Sequence, residues 1–302
     1  MKSGLDYFDK VYRRPDGFYG ALATSEGQLI DDGFDLYNQA FAILAFCYTA
    51  KAIPGLASEM SGRALALLRN LRAEYAHREA GFQEACPERL PLCSNPHMHL
   101  FEACLAWEAV EPGREWTAMA DAIAGLARRH FIDADGGFLR EFFAPDWRPA
   151  AGEAGSLVEP GHQFEWAWLL TRWGRARGDD WAAAAAERLY EAGSRGIDAA
   201  RGVAVDELDD QLNLRSGRAR LWPQTERLKA ALILGDRVPA GHAAEALKGL
   251  QLYLEPTGLW RDKLEPDGRF VEEPAPASSL YHITAAWVQL RESLGATGAG
   301  RT

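Results

Sequence analysis

Residues 133–141, DADGGFLRE, contain the pattern that decides the fold: a polar stretch, a glycine and then an apolar residue. The same pattern occurs in RPDGFYG (14–20), REAGFQE (78–84), AARGVAVDE (199–207) and EPTGLWRDK (255–263). We call these five stretches the marker segments; their glycines are Gly17, Gly81, Gly137, Gly202 and Gly258. The glycines are spaced 64, 56, 65 and 56 residues apart. Such regular spacing indicates a repeat architecture.

Each marker segment lies between two helical patterns of different character. An amphipathic pattern precedes it, as in residues 57–76, and a more apolar one follows it, as in residues 161–174. In both, apolar residues recur at the helical period. The alternation predicts an outer ring of amphipathic helices around an inner ring of apolar ones, an all-α toroid. An open α-solenoid is the alternative, but its repeats are shorter, at about 33 to 47 residues.

Polar side chains gather at the starts of the five apolar helices, and four of the seven histidines are among them. The candidates are Tyr37, Asn38, Gln39, Asn95, His97, His99, Glu102, His162, Glu165, Trp166, Arg220, Trp222, Gln224, Glu226, Arg227, Lys229, Tyr281 and His282. If the helix N-termini meet on one face of a toroid, these groups share one cavity. The partial positive charge at a helix N-terminus is expected to lower the pKa of such imidazoles and keep them neutral.

Several kinds of chemistry do not fit these residues. His97 and His99 are two residues apart on a helix, so their side chains point about 200° apart and cannot easily share a metal ion. No H-E-x-x-H, G-x-S-x-G, P-loop or Rossmann glycine motif occurs. Proton transfer by histidines and carboxylates, without metal or cofactor, remains. Aromatic and hydrogen-bonding side chains around such groups suit a sugar substrate.

The composition narrows the partners and the compartment. The net charge is -10 and no Lys/Arg run is present, which argues against nucleic acid and anionic membranes as partners. There is no apolar stretch of signal-peptide or membrane-spanning kind. The four cysteines lack C-x-x-C spacing, and Cys47 and Cys104 lie in apolar helical patterns. We therefore expect reduced thiols and a cytoplasmic protein.

Four ordered motifs resemble the N-acylglucosamine 2-epimerase superfamily: NPHMHLFEA (95–103), GHQFEWAWLL (161–170), LWPQTERLKA (221–230) and YHI (281–283). The resemblance covers nearly the whole chain and implies an (α/α)6 barrel as one domain over residues 1–302. It also implies metal-independent sugar chemistry by two catalytic histidines, which correspond to His162 and His282. The substrate-contacting positions that it implies are Tyr37, Asn95, His99, Glu102, Glu165, Trp222 and Glu226.

Within the superfamily, the His-x-Phe-Glu-Trp form of residues 162–166 is more similar to the mannose isomerase branch. The resemblance implies interconversion of free D-mannose, or a related aldose such as D-lyxose, with its ketose through a cis-enediolate. Glu165 is expected to orient His162 or to bind a sugar hydroxyl. The alternatives are a 2-epimerase of the N-acylglucosamine or cellobiose type, a non-catalytic sugar-binding relative, and a glycosidase that uses Glu102, Glu165 and Glu226. A monomer or a homodimer is expected.

The chain departs from the superfamily at its N-terminus. The superfamily has several tens of further residues there, including an inner helix, whereas this sequence shows five inner helices and starts near the end of an outer one. We therefore expect a barrel that lacks part of its N-terminal hairpin. Such a barrel would expose apolar inner-helix surface, which promotes oligomerisation or instability.

Overall fold

The structure, a computed structural model, describes residues 2–299, with side chains described through residue 295. Its helices are α1 (Lys2–Tyr12), α2 (Leu36–Ala52), α3 (Ala57–Glu74), α4 (Ser94–Val110), α5 (Arg114–Leu126), α6 (Pro160–Arg177), α7 (Asp180–Ser194), α8 (Leu221–Leu234), α9 (His242–Gln251) and α10 (Ser279–Ala299). Its strands are β1 (Leu22–Ala23), β2 (Leu29–Asp31), β3 (Leu92–Cys93), β4 (Phe142–Phe143), β5 (Ile197–Asp198), β6 (Val203–Ala204), β7 (Glu207–Leu208), β8 (Leu214–Ser216), β9 (Ala219–Arg220) and β10 (Lys263–Leu264).

These strands are two or three residues long and form antiparallel pairs only: β1 with β2, β3 with β4, β5 with β6, β7 with β8, and β9 with β10. The helices therefore form the core, and the all-α prediction is confirmed. Among residues 2–299, no helix combines the length and the apolar character that crossing a membrane requires. Within the described residues no disulfide joins the four cysteines, and Cys47 and Cys104 are buried.

The chain forms two compact units. The first unit contains α1 to α5 and β1 to β4, and the second contains α6 to α10 and β5 to β10. Residues 132–141 belong to the second unit although they precede β4 in sequence. The single domain over residues 1–302 stays a prediction.

The first unit has the predicted alternation of helices. The apolar helices α2 and α4 pack on each other, α3 covers α2, and α5 covers α4. Pro96 to Trp107 of α4 are buried all round because α4 has helices on two sides. The indole N–H of Trp107 donates to the carbonyl of Ile43 at 3.0 Å, and its ring stacks on Trp116 with centroids 5.4 Å apart. This indole therefore links α4 to the inner helix α2 and to the outer helix α5.

The second unit repeats the same order. α6 packs on α8, α8 packs on α10, and the amphipathic helices α7 and α9 cover α6 and α8. The α6–α7 contact is close because Gly174 has no side chain: a Cβ there would lie 2.7 Å from the Cβ of Ala182. Inner helices α2, α4, α6, α8 and α10 are the five that the sequence predicted.

The fourth residue of three inner helices is a fully buried glutamine that binds the preceding marker segment. These residues are Gln39, Gln163 and Gln224, and they bind the backbone of Tyr19, Leu139 and Ala204 respectively. In each case the backbone N–H donates to the amide oxygen, at 2.9, 2.7 and 2.8 Å. The amide nitrogen donates back to the carbonyl of the same residue, at 2.9, 3.0 and 2.8 Å. We call this two-way bond the loop clamp.

In α4 the fourth residue is His97, which performs the same task with an imidazole. Its Nε2 accepts the backbone N–H of Phe82 at 3.0 Å, and its Nδ1 lies 2.9 Å from the carbonyl of Cys93. The imidazole is fully buried and packs edge-on against Trp147, with ring centroids 5.4 Å apart. His97 therefore holds the second marker segment.

One face of α10 is exposed and apolar. Leu280, Trp287 and Leu294, each seven residues from the next, are 53%, 60% and 62% exposed. Residues seven apart lie on the same side of a helix, so the three side chains form one line. The inner helix α10 therefore presents apolar side chains to solvent.

Candidate active site

His162 is the third residue of α6 and the centre of a carboxylate-rich group in the second unit. Pro160 begins the helix, and its fixed φ suits the first helical position. The imidazole is buried, with Nδ1 2.8 Å from Glu141 Oε2 and 3.9 Å from Glu159 Oε2. Burial alone would lower the pKa of His162, but the charges of Glu141 and Glu159 outweigh it and raise the pKa to about 9.

The sequence prediction of a neutral imidazole is therefore wrong for His162. A helix N-terminus contributes about half a positive charge, whereas Glu141 contributes a full negative charge at hydrogen-bond distance. At pH 7 the ring is an imidazolium ion that donates from Nδ1 to Glu141. Its Nε2–H is then the proton that the ring can give away.

Glu141 is the site residue that the sequence analysis missed. It is the last residue of the marker segment DADGGFLRE, and 21 residues separate it from His162. Two other marker segments place a buried acid in the same setting. Glu84, Glu141 and Asp206 each accept the backbone N–H of the residue before an inner helix: Cys93 at 3.1 Å, Glu159 at 3.4 Å and Arg220 at 2.9 Å. A repeated acid at this point of the repeat is the signal that could have identified Glu141.

Glu165 was expected to orient His162 or to bind a sugar hydroxyl. The hydrogen bond at Nδ1 of His162 goes to Glu141, so Glu141 has the orienting position. Glu165 is buried, and a carboxylate oxygen of Glu165 lies within 4.8 Å of ligand atoms of Glu226 and His282. The sugar-binding role of Glu165 stays a prediction.

His282, the fourth residue of α10, is bound to a second carboxylate. Its Nδ1 lies 2.8 Å from Oε1 of Glu226, which is completely buried as the sixth residue of α8. The other carboxylate oxygen, Oε2, is 2.7 Å from the ammonium Nζ of Lys229. Burial alone would raise the pKa of Glu226, but the charge of Lys229 and the contact with His282 lower it below its ordinary value. Glu226 is therefore a carboxylate that is hydrogen-bonded to His282 and ion-paired with Lys229.

Trp222 connects the two histidines. The centroid of its ring lies 5.0 Å from that of His162 and 5.7 Å from that of His282. The indole fits beside α6 because Gly161 has no side chain, since a Cβ there would lie 2.4 Å from the ring. The second unit thus brings together His162, Glu165, Trp222, Glu226 and His282, all of which the sequence singled out.

Glu165, Glu226 and His282 also have the donor types and the spacing of a metal site. However, both oxygens of Glu226 already face a donor, and Nδ1 of His282 is bound to one of them. The ammonium of Lys229 at 2.7 Å would also repel a cation. This donor set fits ion pairing better than metal binding, and the absence of a metal requirement stays a prediction.

The remaining predicted residues lie in the first unit. Tyr37 packs edge-on against His99, with ring centroids 4.8 Å apart, and Phe41 lies 4.7 Å from the same imidazole. His99 Nδ1 is 3.9 Å from Glu102 Oε2, and both residues are buried. Asn95, the second residue of α4, has a buried Oδ1 that accepts no hydrogen bond within the described part of the chain. The cavity shared by all helix starts stays a prediction.

His97 also makes stability depend on pH. Burial lowers its pKa from 6.5 to about 4. As pH falls below 6.5, the unfolded chain therefore takes up a proton that the folded chain resists. The stabilisation is fully present above pH 6.5 and is lost as pH falls to about 4, a loss of about 3 kcal/mol at most.

Urea unfolding at pH 7.5, 5.5 and 4.5 measures this loss. His97→Gln is the matched variant, because glutamine performs the same clamping task in three other repeats without titrating. We expect the variant to lose less stability than the parent protein on going from pH 7.5 to 4.5. Equal losses in the two proteins would contradict the assignment.

The relatives of this chain define its class of protein, the enzymes that isomerise or epimerise carbohydrates. The chain belongs to the N-acylglucosamine 2-epimerase (GlcNAc 2-epimerase) family, whose model matches residues 1–286. It is 52% identical to a mannose-6-phosphate isomerase of Rhizobium meliloti (strain 1021) over 306 residues, which covers 97% of this chain and 79% of that protein.

Two solved structures show the same fold. A D-mannose isomerase is similar with a TM-score of 0.83 and 18% identity, over 96% of this chain and 79% of the other. The cellobiose 2-epimerase of Spirochaeta thermophila DSM 6192 is similar with a TM-score of 0.84 and 18% identity, over 98% of this chain and 79% of the other. These likenesses confirm the predicted fold class, the (α/α)6 barrel.

Proposed function

We propose that the protein is an aldose–ketose isomerase that interconverts D-mannose, or a related aldose such as D-lyxose, with its ketose. One observation supports the proposal: two imidazoles lie beside Trp222, each is hydrogen-bonded to a carboxylate, and the charges around the two carboxylates differ. His162 faces two carboxylates, whereas the carboxylate at His282 is paired with Lys229. One ring is thus suited to give a proton and the other to accept one.

In the proposed reaction, Nε2 of His282 accepts the proton from C2 of the open-chain sugar. The electrons of the C2–H bond form the C1=C2 double bond, and O1 takes the Nε2 proton of His162. The resulting cis-enediol then receives the proton of His282 at C1, while the O2 hydroxyl gives its own proton to Nε2 of His162 and becomes the ketone oxygen. Both histidines end in their starting states, and the reaction needs no cofactor.

A 2-epimerase is the first alternative. It would share the first step but return a proton to C2 from the opposite face, so that the product is an aldose. The family is named after a 2-epimerase. The arrangement of His162 and His282 is compatible with either product. The identity of the product therefore decides between them.

A phosphorylated substrate is favoured by one observation, the 52% identity to a protein named mannose-6-phosphate isomerase. The charges in the second unit favour the free sugar instead. Arg220 lies 3.3 Å from Glu159 and 3.1 Å from Asp206, and Lys229 is paired with Glu226. A phosphate dianion near these groups would meet more carboxylates than free cations.

The test is incubation of the purified protein with D-mannose, D-lyxose and mannose 6-phosphate in separate reactions. We expect a ketose from the free sugars and incorporation of solvent deuterium at carbon, both followed by NMR. Glucose as the product from mannose would support epimerisation, and turnover of the phosphate alone would support the phosphosugar reading. If no sugar exchanges hydrogen at high protein concentration, the enzymatic proposal is wrong and a sugar-binding role replaces it.

A further inference from the structure

Lys229 is a lysine in the interior of the second unit. It is the ninth residue of α8 and has no exposed surface. Its Nζ lies 2.7 Å from Glu226 Oε2 and 3.9 Å from the ring centroid of Trp168. Lysine is almost never fully buried unless it is paired, because removing an ammonium ion from water is costly.

The surroundings of Lys229 are built to hold a cation. The face of an indole attracts an ammonium ion, and a carboxylate beside it completes the charge pair. The Trp168 ring is fixed in turn, because its N–H donates to Oε1 of Gln289 on α10 at 2.8 Å. Lys229 therefore has a defined position relative to Glu226.

The ion pair distinguishes the two imidazoles of the site. His162 faces Glu141 and Glu159, and Glu159 lies 3.3 Å from Arg220. His282 faces a carboxylate whose second oxygen is bound to an ammonium ion.

Within the described part of the chain, ionisable groups near His282 come from α6, α8 and α10. Glu226 and Lys229 come from α8, Glu165 comes from α6, and Tyr281 on α10 has its ring centroid 4.8 Å from that of His282. Lys229 is the cation among these groups.

We propose that Lys229 is a positioning residue that determines which histidine acts as the base, because its ion pair with Glu226 leaves His282 as a proton acceptor. The catalytic consequence of this inference rests on the proposed function. The protonation of His162 and His282, however, can be measured without any substrate. Lys229 acts through Glu226 and does not itself transfer a proton.

The reason is charge balance in a buried cluster. Lys229 and Glu226 together carry no net charge, so this ion pair does not draw a proton onto His282. Glu165 is present with or without Lys229, so the ion pair accounts for the difference between the parent protein and a variant at Lys229. If an apolar side chain replaces Lys229, the carboxylate of Glu226 has no compensating charge, and burial penalises it. The cluster regains neutrality by taking up a proton, which the hydrogen bond between Glu226 and His282 then shares. A pair that already holds this proton cannot accept another from C2.

The first experiment compares the pH dependence of kcat/KM for the parent protein and Lys229→Met. Methionine keeps most of the apolar length of lysine and its contact with Trp168. We expect the acid limb of the profile to move up by at least one pH unit, with at least tenfold lower activity at pH 6.5. The alkaline limb, which His162 sets, should stay in place. A uniform fall at all pH values, or an unchanged profile, would overturn the proposal.

Lys263→Met is the matched control. Lys263 forms an ion pair with Glu273 at 2.6 Å, but both side chains are partly exposed. Solvent therefore compensates for the lost charge, and we expect the pH profile of this variant to match that of the parent protein.

The second experiment does not depend on activity or on the folding of Lys229→Met. NMR of the parent protein with 15N-labelled histidines reports the protonation of each ring, and His162→Asn and His282→Asn identify the signals. At pH 7.5 we expect His282 as a neutral ring with its hydrogen on Nδ1 and His162 as an imidazolium ion. A charged His282 in the parent protein would overturn the proposal even if Lys229→Met fails to fold. If the two histidines show the expected protonation but the protein converts no sugar, the proposed function is wrong and the inference about Lys229 stands.

Discussion

His282→Asn is expected to lower kcat about 10³-fold, within the range that general acid–base groups contribute. Asparagine keeps a donor close to the position of Nδ1, so the hydrogen bond to Glu226 can persist. It has no counterpart of Nε2, so no group remains to accept the proton from C2. Both kcat and the exchange of the C2 hydrogen with solvent deuterium should fall together.

His162→Asn should separate these two measurements. The acceptor at His282 remains, so slow exchange at C2 should persist while turnover falls by a similar factor. His242→Asn is the control, because His242 lies on α9 and its Nδ1 is hydrogen-bonded to the hydroxyl of Tyr190, away from His162 and His282 in sequence. Activity of that variant should be unchanged. Exchange at the parent rate in His282→Asn would rule out His282 as the base.

Gln224→Leu is expected to lower the free energy of unfolding by about 3 kcal/mol. The leucine cannot accept the backbone N–H of Ala204 and cannot donate to the carbonyls of Ala204 and Arg220. Each buried backbone group left without a partner costs about 1 to 3 kcal/mol, and the added apolar burial offsets part of the loss. Urea unfolding followed by circular dichroism measures the change.

Gln251→Leu provides the comparison for this measurement. Gln251 is the last residue of α9 and is exposed, so the same substitution there should change the free energy of unfolding by less than about 0.5 kcal/mol. If both variants are equally stable, the loop clamp contributes nothing to folding.

The periodic features of the molecule could be predicted because they follow from local physics. The spacing of the marker glycines and the contrast between apolar and amphipathic helices predict which helices are inner and which are outer. All five of the marker glycines have positive φ, a conformation that glycine adopts without steric cost. Residues at helix starts, such as His162 and His282, are also identifiable because helix starts can be located from sequence.

The failures have physical causes as well. Glu141 contacts His162 across a loop, and a single repeat contains no pattern that reports a contact between residues 21 apart in irregular structure. Only a comparison of the acids in several marker segments could have identified Glu141. Without Glu141 the charge of His162 could not be predicted, because the carboxylate has a larger effect on the pKa of this imidazole than the partial charge of the helix end. His97 and His99 look equivalent in sequence, yet His97 holds a loop whereas His99 packs against Tyr37. Only the register of the fourth helical position, shared with Gln39, Gln163 and Gln224, separates them.

This register also bears on how the protein can be engineered. The fourth residue of α2, α4, α6 and α8 holds a loop, whereas five other buried ionisable residues occupy the sixth and ninth positions: His99, Glu102, Glu165, Glu226 and Lys229. Folding and chemistry are therefore assigned to different residues of the same helical turns. Variant libraries that randomise the sixth and ninth positions leave the loop-holding glutamines intact. Selection for new sugars can thus vary these five residues while the proposed catalytic histidines and the loop-holding residues of α2, α4, α6 and α8 stay unchanged.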